Sequence, residues 1–263
     1  IGTILVSFIV GIAYGVALFI FTPLLVALEI FLLVSVVWVI VESPRRQQQI
    51  GKSKDIFSKH PGVKIAILGS YGKTTIKELL REVMSEGKKV AATPGNKNVA
   101  ISHARFAAKL KGDEEIVLIE YGEAAPGDIA KFAKNTKPDV AVIAGIAPNH
   151  LDQYKTLDNV AADLLSIKNY VKPENIYINA DAKNSVTENL DEFRIFDDNG
   201  TPGISIKNVE LSLEGMKFTA EFDTDESTKF ETALVGRHLL GPLAVCILLA
   251  KKAGLSLKQI QKS

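Results

Sequence analysis

Apolar side chains run almost unbroken from Ile1 to Val41, where Glu29 is the single charge, and after that they recur with two distinct periods. Crossing roughly 30 Å of hydrocarbon takes about 20 apolar residues. Residues 1–41 are too long for one pass and predict two, a transmembrane hairpin turning near Thr22-Pro23. A secretory signal is disfavoured on length, since its apolar region covers only about 7–15 residues. Residues 42–62 are polar and read as a juxtamembrane basic helix closed by Pro61-Gly62. Its Arg45, Arg46, Lys52, Lys54 and Lys59 place that flank, and all that follows, on the cytoplasmic side, with Trp38 as an interfacial anchor. The expectation is a chain held in the cytoplasmic membrane, its lipid-bilayer contact confined to residues 1–41 and its soluble domain at 63–263.

From Val63 the pattern alternates short apolar runs with amphipathic stretches. Ile65–Leu68, Lys88–Ala92, Ile116–Glu120, Val140–Ala144 and Ile176–Asn179 read as strands. Between them Thr75–Glu86, Ile101–Leu110, Gly127–Asn135 and Leu157–Val171 read as helices. Strands alternating with helices predict an α/β fold with a mainly parallel sheet flanked by helices. Between about residues 193 and 235 the period drops to two. Val209–Leu213 and Met216–Phe222 flank Glu214-Gly215 and predict a small antiparallel β section. A last apolar helix, Leu239–Gly254, follows.

Composition adds three bounds. The formal charge of +1 gives no global field for nucleic acid, so none is expected as a partner. Cys246 is the only cysteine, which excludes an internal disulfide and fits a reducing compartment. The chain opens on Ile rather than Met and stops just after a helical pattern, so a fragment of a longer protein is expected.

The chemistry concentrates where strands end. Gly69-Ser70-Tyr71-Gly72-Lys73-Thr74-Thr75 joins a buried strand to an amphipathic helix. Glycines let backbone N–H groups close around phosphate oxygens, the helix N-terminus adds partial positive charge, and Lys73 adds a full one. Thr74 offers a hydroxyl to Mg²⁺. The loop is shorter than the usual phosphate-binding form, because Ile67 stands where its first glycine would fall. Glu120 closes the Ile116–Glu120 strand and is placed to hold Mg²⁺. His150, in Asn149-His150-Leu151-Asp152, follows the next strand and is a candidate metal or phosphate contact, with Asp152 a weaker one. Asn96 and Asn98 occupy a loop that turn formation alone would also explain.

In order and spacing, Gly69–Thr75, Thr93–Asn98, Glu120-Tyr121-Gly122, Asn149–Asp152 and Gly236-Arg237-His238 resemble the Mur ligase family over Val63 to Ser263. Pro126–Ile129 and Asn179-Ala180-Asp181 look most like the branch that adds D-alanyl-D-alanine. The resemblance implies an ATP- and Mg²⁺-dependent, ADP-forming amide ligase acting through an acyl phosphate, with a UDP-N-acetylmuramoyl-peptide and a dipeptide as substrates. It implies nucleotide contacts from Gly69, Ser70, Tyr71, Gly72, Lys73, Thr74 and Thr75. Lys73 would meet the β/γ-phosphates, Thr74 the first Mg²⁺, and Glu120 and His150 the second, with Asn96 and Asn98 on the same side. Two positions depart from the family. Leu164 stands where a carbamylated lysine is usual, with Lys168 one turn on. His238-Leu239-Leu240-Gly241-Pro242 lacks the two asparagines usual near adenine. Two readings stay open beside a cell-wall ligase. One is another Mur-type ligase of folylpolyglutamate, cyanophycin or pseudomurein type. The other is a membrane nucleotide-binding ATPase without ligase chemistry.

Overall fold

The computed structural model describes residues 2–186 and 189–263. Its contacts divide the chain into Ile1–Gln49 and Ile50–Ser263.

The first unit is helical. Helix α1 runs Gly2–Val37, a π-helical turn covers Trp38–Glu42, and α2 (Ser43–Lys59) begins directly after it. The predicted hairpin does not form, because α1 continues through Pro23. The missing N–H of one proline removes a single hydrogen bond, and Thr22-Pro23 offers no glycine or asparagine to reverse the chain. No residue of α1 is buried, and its apolar side chains cover every face. At about 1.5 Å per residue, the 36 residues of α1 extend roughly 54 Å. Among the described residues, one helix, Gly2–Lys59, is long and apolar enough to cross a membrane by length and composition.

The second unit opens inside α2. Ser53 and Phe57 are fully buried, so the end of the predicted juxtamembrane arm belongs to the core of this unit. Phe57 packs among Phe106, Ile129 and Phe132, and Ser53 Oγ accepts from Asn135 Nδ2 at 2.9 Å. The elements then run β1 (Val63–Leu68), α3 (Lys73–Ser85), β2 (Val90–Ala92), α4 (Ala100–Ala107), β3 (Ile116–Glu120), α5 (Asp128–Thr136), β4 (Val140–Ile143), α6 (Leu151–Tyr154), α7 (Leu157–Leu165) and β5 (Ile176–Asn179). After these come β6 (Arg194–Phe196), β7 (Gly200–Thr201), β8 (Ile204–Leu211), β9 (Met216–Phe222), β10 (Ser227–Thr232), α8 (Leu240–Lys252) and α9 (Leu257–Lys262).

Six strands form a parallel sheet in the order β2-β3-β1-β4-β5-β6. Strand β6 lies in the segment predicted to be antiparallel but pairs parallel to β5. The other four make an antiparallel sheet, β10-β9-β8-β7. The predicted helix Leu157–Val171 is also shorter, giving way at Ser166 to a 3₁₀ turn. Ser166 Oγ bonds back to the Asp163 carbonyl there and competes with helical pairing.

Two apolar clusters cover the two faces of the parallel sheet. One joins Ile65, Ile67 and Val142 to α3, α8 and the inner face of the antiparallel sheet. The other joins Ala66, Leu68 and Ile143 to α4, α5 and α7. Helix α8 is apolar on every side from Leu243 to Ala250 because it is enclosed between the two sheets. After β1 the chain steps outward to β2, returns through β3, and then crosses to β4 on the other side. The carboxyl end of β1 is therefore a switch point, where open α/β sheets bind ligands.

Candidate functional site

The site is built from the loops that leave β1, β2, β3 and β4. After Leu68 the backbone turns at Gly69 (φ +131°) and again at Gly72 (φ +73°), where α3 begins. A Cβ on Gly69 would lie 2.8 Å from the Gly145 carbonyl oxygen, so the β1 and β4 loops meet backbone to backbone. Ser70 N donates to that same carbonyl at 2.8 Å. Ser70 Oγ is buried and has no hydrogen-bond partner among the described residues, an unused donor inside the glycine loop. Tyr71 lies over Gly145 so closely that any side chain there would collide with its ring.

Two lysines on one face of α3 reach two glutamates, one that ends β3 and one in the loop after it. Lys73 Nζ donates to the Gly69 carbonyl and pairs with Glu123 Oε2 at 2.9 Å. One turn later Lys77, with no exposed side-chain area, pairs with Glu120 Oε2 at 3.0 Å and donates to the Gly95 carbonyl. Thr74 Oγ1 donates to the same Glu120 oxygen at 3.0 Å, while Glu120 Oε1 faces Asn98 Nδ2 at 3.4 Å. Glu123 Oε1 accepts from Asn149 Nδ2 at 3.0 Å, and Asn149 Oδ1 accepts from His150 N at 3.1 Å. Glu123 thus bridges the phosphate-type loop to the loop that carries His150.

The strand end is held from behind. Thr93 Oγ1 accepts from Glu120 N at 3.0 Å, and His103 Nε2 donates to the Glu120 carbonyl at 2.8 Å. Burial pushes the His103 imidazole down to about 4, so at neutral pH it is an uncharged donor, with the Glu120 carbonyl opposing the shift. Asp163 fastens the loop after Glu123: it accepts from Gly127 N and from the Tyr154 hydroxyl, each at 2.8 Å. Burial raises Asp163 above the usual carboxylate range.

The expected residues are placed unevenly. Lys73, Thr74, Glu120 and Asn98 converge. Asn96 stands exposed on its loop, with no hydrogen bond among the described residues. His150 is exposed at φ 49° on the neighbouring loop, and among the described residues no three His, Cys, Asp or Glu side chains form a ready metal cluster. Leu164 is fully buried in the second apolar cluster, and Lys168 lies 3.9 Å from Glu192. Lys77, Glu123 and His103 escaped the sequence reading. The available signal for Lys77 was its place on the apolar stripe of α3, beside Ile76, Leu80 and Met84.

Beside the glycine loop lies a cleft of about 640 Å³. Tyr71 and Thr75 line one side, Phe196, Leu239 and Pro242 give apolar wall, and Asn179, Asp181, Asp197 and Asp198 give polar rim. Arg237 pairs with Asp198 across its mouth.

Comparison with known proteins matches residues 67–250 to the Mur ligase middle domain. A UDP-N-acetylmuramoyl-tripeptide–D-alanyl-D-alanine ligase of Borreliella burgdorferi is 30% identical over 210 residues, which are 76% of this chain and 43% of that protein. Among solved structures, MurF from Acinetobacter baumannii superposes with a TM-score of 0.69 at 21% identity, over 82% of this chain and 49% of that one. MurF ligase from Thermotoga maritima in complex with ADP gives 0.65 at 21% identity, over 83% and 52%. The chain spans about half the length of the curated relatives it matches.

Proposed function

The chain belongs to the Mur ligase family, and we propose that it is the ATP-handling part of an amide ligase of peptidoglycan precursor synthesis. The reaction joins D-alanyl-D-alanine to a UDP-N-acetylmuramoyl-tripeptide, the pair of substrates in the names of its relatives. One observation carries the reading. A glycine loop between β1 and α3 presents Lys73, and Thr74 behind it touches the Glu120 carboxylate of the adjacent strand.

The acceptor carboxylate oxygen attacks the γ-phosphorus of ATP, the bond to the β–γ bridging oxygen breaks, and ADP leaves with that electron pair. The acyl phosphate so formed is attacked by the amine, which loses a proton as phosphate departs. Activation is needed because a carboxylate oxygen leaves poorly and phosphate leaves well. Lys73 and the loop N–H groups draw charge from the transferring phosphoryl group. Ser70 Oγ, buried without a partner among the described residues, is a donor for a phosphate oxygen. The Thr74 hydroxyl and Glu120 carboxylate are the hard oxygen pair that fits Mg²⁺, with His150 on the facing loop. Bound there, Mg²⁺ supplies charge neutralisation between two anions. The 640 Å³ cleft takes the nucleoside. Phe196, Leu239 and Pro242 hold the base by apolar contact in place of the missing asparagines.

The test is ADP release by the full-length protein with Mg-ATP, the UDP-sugar tripeptide and D-alanyl-D-alanine. Release that requires both substrates is expected. Hydrolysis indifferent to both would move the assignment to a nucleotide-binding ATPase.

We further propose that α1 is a single membrane span rather than a hairpin, with the basic flank and the ligase domain on the cytoplasmic face. Its unburied surface, apolar on every face with Glu29 as the single charge, supports this, and its roughly 54 Å exceed the ~30 Å hydrocarbon core. Removing residues 1–41 should move the protein from the membrane fraction to the soluble one. Retention in the membrane would overturn the assignment.

A further inference from the structure

The four charged groups around the phosphate-type loop are already paired. Lys73 faces Glu123, whose side chain is 1% exposed, and Lys77 faces Glu120, 2% exposed. Both oxygens of Glu123 are committed, one to Lys73 and one to Asn149. Its carboxylate has no solvent to spread its charge into, and its nearest cation is the group that receives phosphate. A phosphate chain that arrives without a cation must share Lys73 with Glu123 and face two buried carboxylates. One that arrives with a divalent cation brings the compensating charge and meets the Thr74 and Glu120 oxygens.

We propose that Glu123 is a specificity-determining counter-ion, which makes nucleotide binding conditional on a divalent cation. This rests on the nucleotide-binding reading above. Glu123 does no chemistry on substrate. It sets the charge that Lys73 presents.

The experiment is calorimetric titration of the full chain with the non-hydrolysable ATP analogue AMP-PNP, in Mg²⁺ and in EDTA. Wild-type affinity is expected to fall by more than about tenfold on metal removal, an effect of one poorly screened charge. Glu123→Gln keeps the shape and removes the charge, and the Asn149 amide can turn to meet the new N–H. It is expected to shrink the Mg²⁺/EDTA ratio by about tenfold, mainly by tightening metal-free binding. Asn149→Ala, which keeps the charge and breaks the other contact, is expected to leave the ratio at its wild-type value. Wild-type binding that is indifferent to metal overturns the proposal. So does an unchanged ratio in folded Glu123→Gln, or a ratio that collapses in Asn149→Ala. Absence of wild-type binding in Mg²⁺ would instead overturn the nucleotide reading itself.

Discussion

Lys73→Ala is expected to slow substrate-dependent ADP release by the full-length protein about 10²–10³-fold, the usual cost of removing one positioned donor from a developing charge. Lys73 also has a structural partner, since Glu123 would be left buried without its cation. Stability should therefore fall together with activity. The double variant Lys73→Ala/Glu123→Gln separates the two roles. It is expected to recover most of the lost melting temperature and none of the lost rate. Recovery of the rate in the double variant would show that Lys73 acts only by holding the fold.

The second large effect concerns stability. Lys77→Met keeps most of the apolar stem and removes the ammonium that faces Glu120 and the Gly95 carbonyl. Breaking a buried ion pair from one side commonly costs about 3–5 kcal/mol, because an uncompensated charge remains inside. Urea unfolding should show a loss of that order. Pairing it with Glu120→Gln should return a large part, since replacing both partners is far milder than replacing one. A single-variant loss below about 1 kcal/mol, the range of exposed pairs, would mean that the pair is solvated in solution.

Lys77 and Glu123 also mark the limit of what the sequence makes legible. Gly69–Thr75 could be read because strand, glycine turn, lysine and helix are contiguous, and each constrains the next. Glu120 could be read because it ends an apolar run that has to be a buried strand. Lys77 and Glu123 could not, because nothing local says which charge will stand opposite. The Lys77–Glu120 and Lys73–Glu123 pairs exist only because β3 lies beside β1, and that order is set by the whole sheet. The hairpin failed for a related reason. Counting apolar residues against membrane thickness says how much chain is available, whereas a turn needs residues that reverse the backbone, and Thr22-Pro23 is not such a pair. The antiparallel reading of residues 193–235 does not separate off β6, because a three-residue strand shows no period. The position of His150 after β4 is legible in the sequence, but its exposure depends on how the loop folds.

Helix α8 has a consequence for synthesis. The parallel sheet and α3 are complete well before residue 240 leaves the ribosome, yet one face of that sheet is closed by Leu243, Ala244, Ile247 and their neighbours. A nascent chain that stops short of α8 therefore carries its glycine loop on a half-covered core, with an apolar face open to chaperones and to other chains. The cleft beside the glycine loop, whose far wall is the start of that helix, is among the last features to form.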